Sequence, residues 1–365
     1  MPASHALPLR ARVEGALARL VLGLPHPLVR LLAGRPISLD GNTLDPQVQL
    51  TLALERLVDP VPMAQVTLEH ARSQVEKNAG ALAPRTASEV RTEELTVAGA
   101  AGTLAARLYR PEGVVAPAPA LVFFHGGGFV VGSLDSHDAL CRVLAERARC
   151  VVIAVDYRLA PEHPFPAGVD DALAAFRDLA ARASSLGLDP ARLAIGGDSA
   201  GGNLATVVAL DTRRDAVRPA VQLLLYPVVD ATSSYPSVET FREGFFLDRE
   251  TIDWYVVRYL PAGIDRRAPR ASPLFEPDLS GSPATILITA GFDPLRDEGH
   301  AYVERLRKAG VPVEERLYGS MFHGFLNTAG AIDEARRALD EIGELLGTAL
   351  RRGESVAPSR RRAVD

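Results

Sequence analysis

One glycine-rich turn constrains the fold of this chain more than any other feature. Ser199 lies in a G-x-S-x-G pattern within Gly197–Gly202, which follows an apolar run at 192–196 and precedes a helix-forming run at 202–210. A serine on so tight a turn has strained backbone angles, and a side chain two residues away on either side would collide with the strand or the helix. The segment therefore predicts a strand, a sharp turn and a helix, with Ser199 as an exposed nucleophile.

A second glycine run, His125–Gly128, directly follows another strand-like run. At this composition a G-x-S-x-G arises by chance in roughly one sequence of this length in eight, whereas His-Gly-Gly-Gly arises in roughly one in two hundred. Acyl transfer builds an oxyanion on the former carbonyl oxygen, which preorganised N–H donors must stabilise. We predict that the N–H groups of Gly127, Gly128 and Ala200 form this oxyanion hole.

A serine hydroxyl is a weak nucleophile until an imidazole, itself oriented by a carboxylate, accepts its proton. His323 is the best candidate for this base, because it follows the strand-like run 313–318 in a loop and lies C-terminal to Ser199. We expect His125 to fix the loop geometry by hydrogen bonding. Five further histidines fall on predicted helices or Pro-rich loops, where a surface or capping role is the simpler interpretation; they are His26, His70, His137, His163 and His300. The remaining one, His5, lies near the terminus.

The acid that orients the imidazole should end a strand between Ser199 and His323. Asp293 comes three residues after 284–290, the most strand-like run of that interval. Asp297 is a rival, but it falls in the first turn of a predicted helix, where a carboxylate is favoured by the helix dipole. We favour Asp293 as the acid, and we expect Asp198 to brace the turn beside the nucleophile.

The two parts of the chain have different patterns. Residues 1–88 are predicted to be helical, with one helix opening at Asp45-Pro46 and a second stretch from about 63 to 78. Helical patterns separate most of the later strand-like runs, which predicts a mostly parallel sheet covered on both faces. Eight such runs are present, at 93–98, 103–109, 119–124, 150–155, 192–196, 220–226, 284–290 and 313–318.

A long insertion between the sixth and seventh of these strands, 228–283, is rich in aromatic residues and proline. It exceeds the length of a plain crossover. A helix at 251–260 would lie over the carboxyl end of the sheet and shape a substrate pocket, although core packing is the better explanation for most of the aromatic residues. We divide the chain into a helical N-terminal region at 1–88, a catalytic domain at 89–350 and a disordered tail at 351–365.

Composition excludes several classes of function. The net charge of −5 and the scattered basic residues argue against nucleic acid as a partner. Two cysteines are too few for a disulfide framework, and we expect a reduced, cytoplasmic environment. No metal-binding motif or dinucleotide-binding loop is present, so we expect neither a metal nor a cofactor. The apolar stretch at 13–24 is interrupted by Arg19 and ends at prolines; we expect an amphipathic helix there and no membrane span.

These motifs resemble the hormone-sensitive-lipase-like branch of the α/β-hydrolases, the bacterial family IV esterases. Besides HGGGF and GDSAGGN, the segment Asp156–Ala167 and the segment Asp293–Glu298 resemble sequences of that branch, and the likeness covers about 89–345. The resemblance implies an α/β-hydrolase fold with a helical cap supplied by 1–88 and 228–283, and a triad at Ser199, Asp293 and His323. It further implies serine carboxylesterase activity on esters of short to medium acyl chains, without a cofactor, and pairing as a homodimer through the sheet edge.

Two other functions stay open at this point. Plant gibberellin receptors resemble the same branch and bind a small molecule without hydrolysing it, but they lack the catalytic histidine, whereas His323 is present here. A triad of this kind could also attack an amide, a carbamate or a lactone, because the oxyanion chemistry is shared. Only measurement separates these substrates.

Overall fold

The computed structural model describes residues 9–58, 61–352 and 362–364. The N-terminal part is helical as predicted, apart from one small hairpin. Asp45 opens one helix by accepting hydrogen bonds from the N–H groups of Gln47 and Val48. The second predicted helical stretch is divided: a 3-10 turn at Met63–Gln65 precedes the α-helix. The elements are α1 (Leu9–Leu22), α2 (His26–Ala33), β1 (Ser38–Leu39), β2 (Asn42–Thr43), α3 (Pro46–Val58) and α4 (Leu68–Ala81).

A mostly parallel sheet follows, and all eight predicted strands are confirmed within it. The strands are β3 (Val90–Gly99), β4 (Gly102–Pro111), β5 (Ala118–Phe124), β6 (Val151–Val155), β7 (Leu188–Asp198), β8 (Val221–Leu225), β9 (Ala284–Phe292), β10 (Val313–Phe322) and β11 (Arg362–Val364). Strand β4 pairs antiparallel with β3 and with β6; the other pairings are parallel. The spatial order is β11-β10-β9-β8-β7-β5-β6-β4-β3.

Helices cover both faces of the sheet, as expected for buried parallel strands. Successive residues of β5 alternate between the two cores: Val122 packs into one and Phe123 into the other. The helices of this part are α5 (Asp138–Ala148), α6 (Ala167–Ala181), α7 (Ala200–Asp211), α8 (Pro236–Thr240), α9 (Arg249–Tyr259), α10 (Arg296–Lys308) and α11 (Asp333–Arg352). The core that contains Val122 receives side chains from α6, α7 and α10, and the core that contains Phe123 receives them from α5 and α11.

The end of the chain differs in part from the predicted disordered tail at 351–365. Residues 351 and 352 complete α11, and β11 pairs in parallel with Arg316–Tyr318 of β10. An edge strand presents unpaired N–H and C=O groups that another segment can bond, which explains why a polar tail adds a strand there. The rest of the predicted tail, 353–361 and 365, lies outside the described residues.

The described residues include no single helix that is both long and apolar enough to cross a membrane. Gly15–Leu22 and His26–Ala33 together reach that length and apolarity, but the chain bends by 108° between them. The first of these segments belongs to α1, which was predicted as an amphipathic helix, and the second is α2. Both lie against α3.

Candidate active site

The turn after β7 presents Ser199 with an unusual backbone. Its φ of 53° and ψ of −116° lie outside the regions that L-residues favour. Two hydrogen bonds hold this conformation: the Ser199 N–H donates to the Leu225 carbonyl at 2.9 Å, and its carbonyl accepts from the Val228 N–H at 3.1 Å. A Cβ on Gly197 or Gly201 would overlap the carbonyl oxygen of Phe124 on β5. The glycines are thus required because the turn packs directly against the neighbouring strand.

The structure brings Ser199, His323 and Asp293 together in one hydrogen-bonded series. His323 Nε2 lies 2.9 Å from Ser199 Oγ, and His323 Nδ1 lies 2.9 Å from Asp293 Oδ2. Asp293 is fully buried, and its other oxygen accepts the N–H of Leu295 at 2.7 Å. Since the carboxylate can only accept from Nδ1, the neutral ring carries its proton there and leaves Nε2 free to accept from the serine hydroxyl.

The rival carboxylate, Asp297, lies elsewhere. It is in the first turn of α10, as predicted, and accepts hydrogen bonds from the Ser237 N–H at 2.9 Å and from Arg296 Nε at 2.9 Å. It therefore joins α10 to the start of α8. The structure places Asp293, and not Asp297, against His323.

The loop after β5 lies beside the serine. Gly127 and Gly128 have φ of +112° and +58°, and both line the cavity that contains Ser199. In the described part of the chain no acceptor is bonded to either N–H. Ala200 is the first residue of α7, so its N–H has no acceptor within the helix. None of the three predicted donors therefore has a hydrogen-bond acceptor among the described residues.

A buried polar cluster joins this loop to the nucleophile turn. Asp198, next to the serine, accepts the N–H of Gly126 at 2.8 Å and lies 3.2 Å from His137 Nε2. Burial raises the pKa of Asp198, but His137 and the Gly126 N–H favour the carboxylate and bring its pKa below the usual value. The Asp198 side chain therefore joins the Ser199 turn to the glycine loop and to His137.

His125 lies on the other side of this cluster and does not contact Ser199. Its Nδ1 is 2.7 Å from the Gly126 carbonyl, and its own carbonyl accepts the hydroxyl of Tyr157 at 2.8 Å. Burial, with a smaller contribution from nearby His137, lowers the pKa of His125 to about 4. The ring is therefore neutral near pH 7, consistent with a role in fixing the loop.

The expectation of a surface or capping role is wrong for His137. It occupies the N-cap position of α5, but its side chain makes no capping hydrogen bond and only 5% of the residue is exposed. Its Nδ1 bonds Ser136 Oγ at 2.8 Å while its Nε2 faces Asp198. Sixty-one residues separate it from Asp198, so no local pattern could have revealed the pairing; its position just after the glycine run was the one signal available.

Ser199 and His323 line a cavity of about 320 Å³. Its walls are mainly aliphatic and aromatic, and no lysine or arginine of the described ranges is among the lining residues. Among the described residues, no group of three or more His, Cys, Asp or Glu side chains is arranged to hold a metal ion. The N-terminal part and the insertion 228–283 both contribute to this lining, with residues that include Met63, Val75, Phe246, Leu247, Thr251, Ile252, Tyr255, Val256, Tyr259 and Leu260.

Tyr255 of α9 is the lining residue that most tightly covers the glycine loop. A Cβ on Gly128 would overlap its ring, which shows how closely the ring approaches the backbone. The Tyr255 hydroxyl donates to Met63 Sδ at 3.1 Å. One side chain therefore connects the insertion, the N-terminal part and the glycine loop, a contact that sequence analysis did not find.

A second buried carboxyl, Glu298 of α10, supports the chain where the insertion begins. It is fully buried, and its Oε1 accepts the N–H groups of Val229 at 2.7 Å and Asp230 at 3.1 Å. Burial raises the pKa of Glu298 well above its usual value, and the nearby Asp230 adds to that effect. Burial therefore favours the neutral form of this side chain over the charged one.

Comparisons with known proteins agree with this architecture. The sequence profile of the alpha/beta hydrolase fold family matches residues 121–327. The carboxylic ester hydrolase LipN of Mycobacterium tuberculosis is 43% identical over 343 residues, which cover 89% of each chain. An ethyl acetate hydrolase of Pseudomonas putida is 40% identical over 291 residues, covering 78% of this chain and 92% of that protein.

A solved structure is similar over most of the chain. The hyperthermophilic esterase of the archaeon Pyrobaculum calidifontis superposes with a TM-score of 0.78 at 37% identity. The match covers 84% of this chain and 98% of the esterase. The common part therefore includes almost the whole of that protein.

Proposed function

This chain belongs to the α/β-hydrolase family, in the hormone-sensitive-lipase-like branch, and we propose that it is a serine carboxylesterase acting on short- to medium-chain acyl esters. The observation that carries the proposal is the hydrogen-bonded series Asp293–His323–Ser199 at the end of an apolar cavity. The names of the relatives, which are ester hydrolases and esterases, support the same reaction class.

Acylation begins when His323 Nε2 accepts the proton of Ser199 and the serine oxygen attacks the ester carbonyl. Asp293 holds the ring in the required tautomer and stabilises the imidazolium that forms. The carbonyl oxygen becomes an oxyanion, which the free N–H groups of Gly127, Gly128 and Ala200 bind. His323 then protonates the departing alcohol, and the acyl group stays on Ser199.

Deacylation uses the same groups in reverse. Water enters, His323 removes one of its protons, and the resulting hydroxide attacks the acyl carbonyl. The same three N–H groups stabilise the second oxyanion. When it collapses, His323 returns the proton to Ser199 and the carboxylic acid leaves. Every proton is carried by a group of the chain, so the cycle needs no cofactor.

The cavity favours neutral substrates of modest size. Small-molecule pockets occupy about 300–1,000 Å³, and this one, at about 320 Å³, is at the lower end. The carboxylates and imidazoles in its lining belong to two aspartates and two histidines, and none of the described lysines or arginines lines it to pair with an anionic substrate. An uncharged ester with a short to medium acyl chain matches these walls better than a carboxylate- or phosphate-bearing one.

We assign residues 1–88 and 228–283 to a cap that covers the site. The assignment is supported by the cavity lining, to which Met63 and Val75 contribute from the first segment and Tyr255 and Tyr259 from the second. The ring of Tyr259 also stacks on Phe129, next to the oxyanion loop, with ring centroids 3.7 Å apart. The cap would then set how long an acyl chain the site accepts.

The test is a series of initial rates on p-nitrophenyl esters with acyl chains from two to sixteen carbons. We expect the rate to peak among the short and medium chains and to fall at least about 10⁴-fold in Ser199→Ala, because the nucleophile is lost. Labelling with a fluorophosphonate, followed by mass spectrometry of peptides, should place the adduct on Ser199.

Ser233→Ala is the matched control, because Ser233 lines the same cavity and has no part in the triad. Its rates should stay within a few-fold of the wild type. Turnover that survives in Ser199→Ala would contradict the serine mechanism. A folded protein that hydrolyses amides or lactones but no ester would contradict the substrate class, and one that binds esters without turnover would indicate a receptor.

A further inference from the structure

The helix pair α1–α2 exposes an unusual concentration of leucine. Ten large apolar side chains of the described residues are markedly exposed, and five of them lie within residues 17–32. Scattered exposed leucines need no explanation, but a local concentration of them commonly indicates a binding surface. These five are Leu17, Leu20, Leu28, Leu31 and Leu32, which are 59%, 69%, 46%, 76% and 54% exposed.

The opposite side of the pair is firmly attached to the protein. Leu22 and Val29 are buried and pack with Leu50 of α3 and with Ala331. The exposed leucines follow the helical spacing of three and four residues. Each helix therefore has an exposed apolar stripe in addition to its buried apolar residue, Leu22 in α1 and Val29 in α2. A packed helix with a second apolar stripe has a face left for another partner.

The charge of this segment is opposite to that of the chain. Residues 9–39 contain five arginines and a single acidic residue, Glu14, whereas the whole chain has a net charge of −5. Arg30 and Arg35 are exposed, and neither guanidinium has an ion-pair partner within the described ranges. The adjoining carboxylates, Asp40 and Asp333, already pair with arginines outside the segment.

We propose that the exposed face of α1 and α2 is a docking surface for an anionic lipid membrane, on which the helices lie in the plane of the interface. Leucines that enter the acyl region and arginines that remain among the phosphates are the pattern of interfacial helices. A second copy of the chain is a poorer partner, because a symmetric contact would bring like guanidinium groups together with almost no acidic residue to offset them.

Docking there would bring lipid close to the cavity. The backbone of α1 at Gly15 packs directly against Ala81 of α4, and Arg19 donates to the carbonyl of Ala83 at 3.4 Å. Val75 of the same α4 lines the cavity. Only the helix α1 would therefore separate a docked membrane from the part of the cavity wall that α4 provides. Esters dissolved in the membrane would then have a short path to the site. That consequence rests on the proposed function, whereas docking itself does not depend on it.

The experiment is flotation of the full chain with vesicles of phosphatidylcholine alone and with vesicles containing about a third phosphatidylglycerol. We expect binding to the anionic vesicles and its loss at high salt, since screening weakens the contribution of the arginines. Leu28→Asn combined with Leu31→Asn should raise the apparent dissociation constant about tenfold or more, because two apolar side chains no longer enter the lipid.

The control pair is Val115→Asn with Ile264→Asn, two exposed apolar residues outside the segment, 79% and 37% exposed. It should float like the wild type, and both pairs should hydrolyse a water-soluble acetate at the wild-type rate if the proposed function is right. Ser199→Ala should also float normally, so a failure of docking is distinguishable from a failure of catalysis.

Three results would overturn the proposal. One is absence of binding to the anionic vesicles, and another is equal flotation of the wild type and the Leu28/Leu31 double variant. The third is a dimer in sedimentation analysis that the double variant separates into monomers, which would make this face a contact between copies.

Discussion

The proposed catalytic edge and the proposed cap are held by different kinds of contact. The edge comprises the turns that carry Gly127, Gly128, Ser199, Asp293 and His323. At the edge, hydrogen bonds to the backbone or between the side chains fix the triad. In the cap, the residues that face the cavity are mostly apolar or aromatic. Hydrogen bonds fix atoms within a few tenths of an ångström, whereas apolar packing fixes shape, so we expect the edge to control rate and the cap to control selectivity.

The largest effect should come from the carboxylate of the edge. Asp293→Asn keeps the size of the side chain but lets the amide donate to Nδ1, which favours the wrong tautomer of His323. We expect kcat to fall about 10⁴-fold with little change in KM, measured on a short p-nitrophenyl ester.

Asp297→Asn is the matched control for that experiment, since Asp297 lies four residues away and bonds Ser237 and Arg296 instead of His323. Its kcat should remain within a few-fold of the wild type. If the two variants lost the same activity, or Asp297→Asn lost more, the assignment of the acid would be wrong.

A smaller effect should follow where the edge and the cap touch. Gly128→Ala places a methyl group against the Tyr255 ring and forces alanine to adopt a φ of +58°. Displacement of the oxyanion loop should lower kcat about 10²- to 10³-fold. Adding Tyr255→Ala should recover part of that loss, because the overlap is relieved while the backbone strain remains.

The double-mutant cycle of these two substitutions measures the contact between edge and cap directly. Additive losses would mean that the ring does not press on the loop. That result would contradict a contact between the edge and the cap, because the cap would then have no influence on the rate through the glycine loop.

The sequence predicted the edge well because its signals are local. The glycines around Ser199 report close packing on β5, and the strand-like run before Asp293 fixed which end of the sheet the carboxylate occupies. The eight strands were predictable for a similar reason, since buried parallel strands are short continuous apolar runs bounded by turns.

Other features depended on distant residues and could not be predicted. His137 reaches Asp198 only because the sheet brings the end of β7 beside the loop that precedes α5. The contact of Tyr255 with Met63 joins residues 192 positions apart. Pairing of β11 with β10 depends on an open sheet edge that no pattern within the tail reports. Aromatic residues in an insertion predict packing, but not which partner each one meets.

The cap alone should change selectivity by about one order of magnitude. Tyr255→Ala removes a half-buried ring from the cavity wall, so longer acyl chains gain space. We expect the ratio of kcat/KM for octanoate to that for acetate to rise about tenfold, in line with about 1–3 kcal/mol per methylene in an apolar pocket. Val257→Ala, a residue of the same helix that is 71% exposed, should leave the ratio unchanged; an equal shift in both would indicate a general loosening of α9.

The smallest effect concerns stability at Glu298, where the edge leads into the cap. The pKa of this buried carboxyl is raised above its ordinary 4.5, so at pH values between the ordinary and the raised pKa the folded state holds a proton that the unfolded state releases. Fewer protons bound on unfolding means that the free energy of unfolding falls as the pH rises, by at most about 1.4 kcal/mol per pH unit.

Glu298→Gln removes the titrating group yet keeps an oxygen that can accept the N–H groups of Val229 and Asp230. Subtracting the unfolding free energy of Glu298→Gln from that of the wild type, in urea between pH 5 and 7, should therefore give a difference that declines with pH. Hydrolysis of a short ester should stay within a few-fold, because the edge is not displaced. A flat or rising difference would mean that Glu298 is ionised in the fold, and that a charge, rather than a neutral carboxyl, joins the two regions.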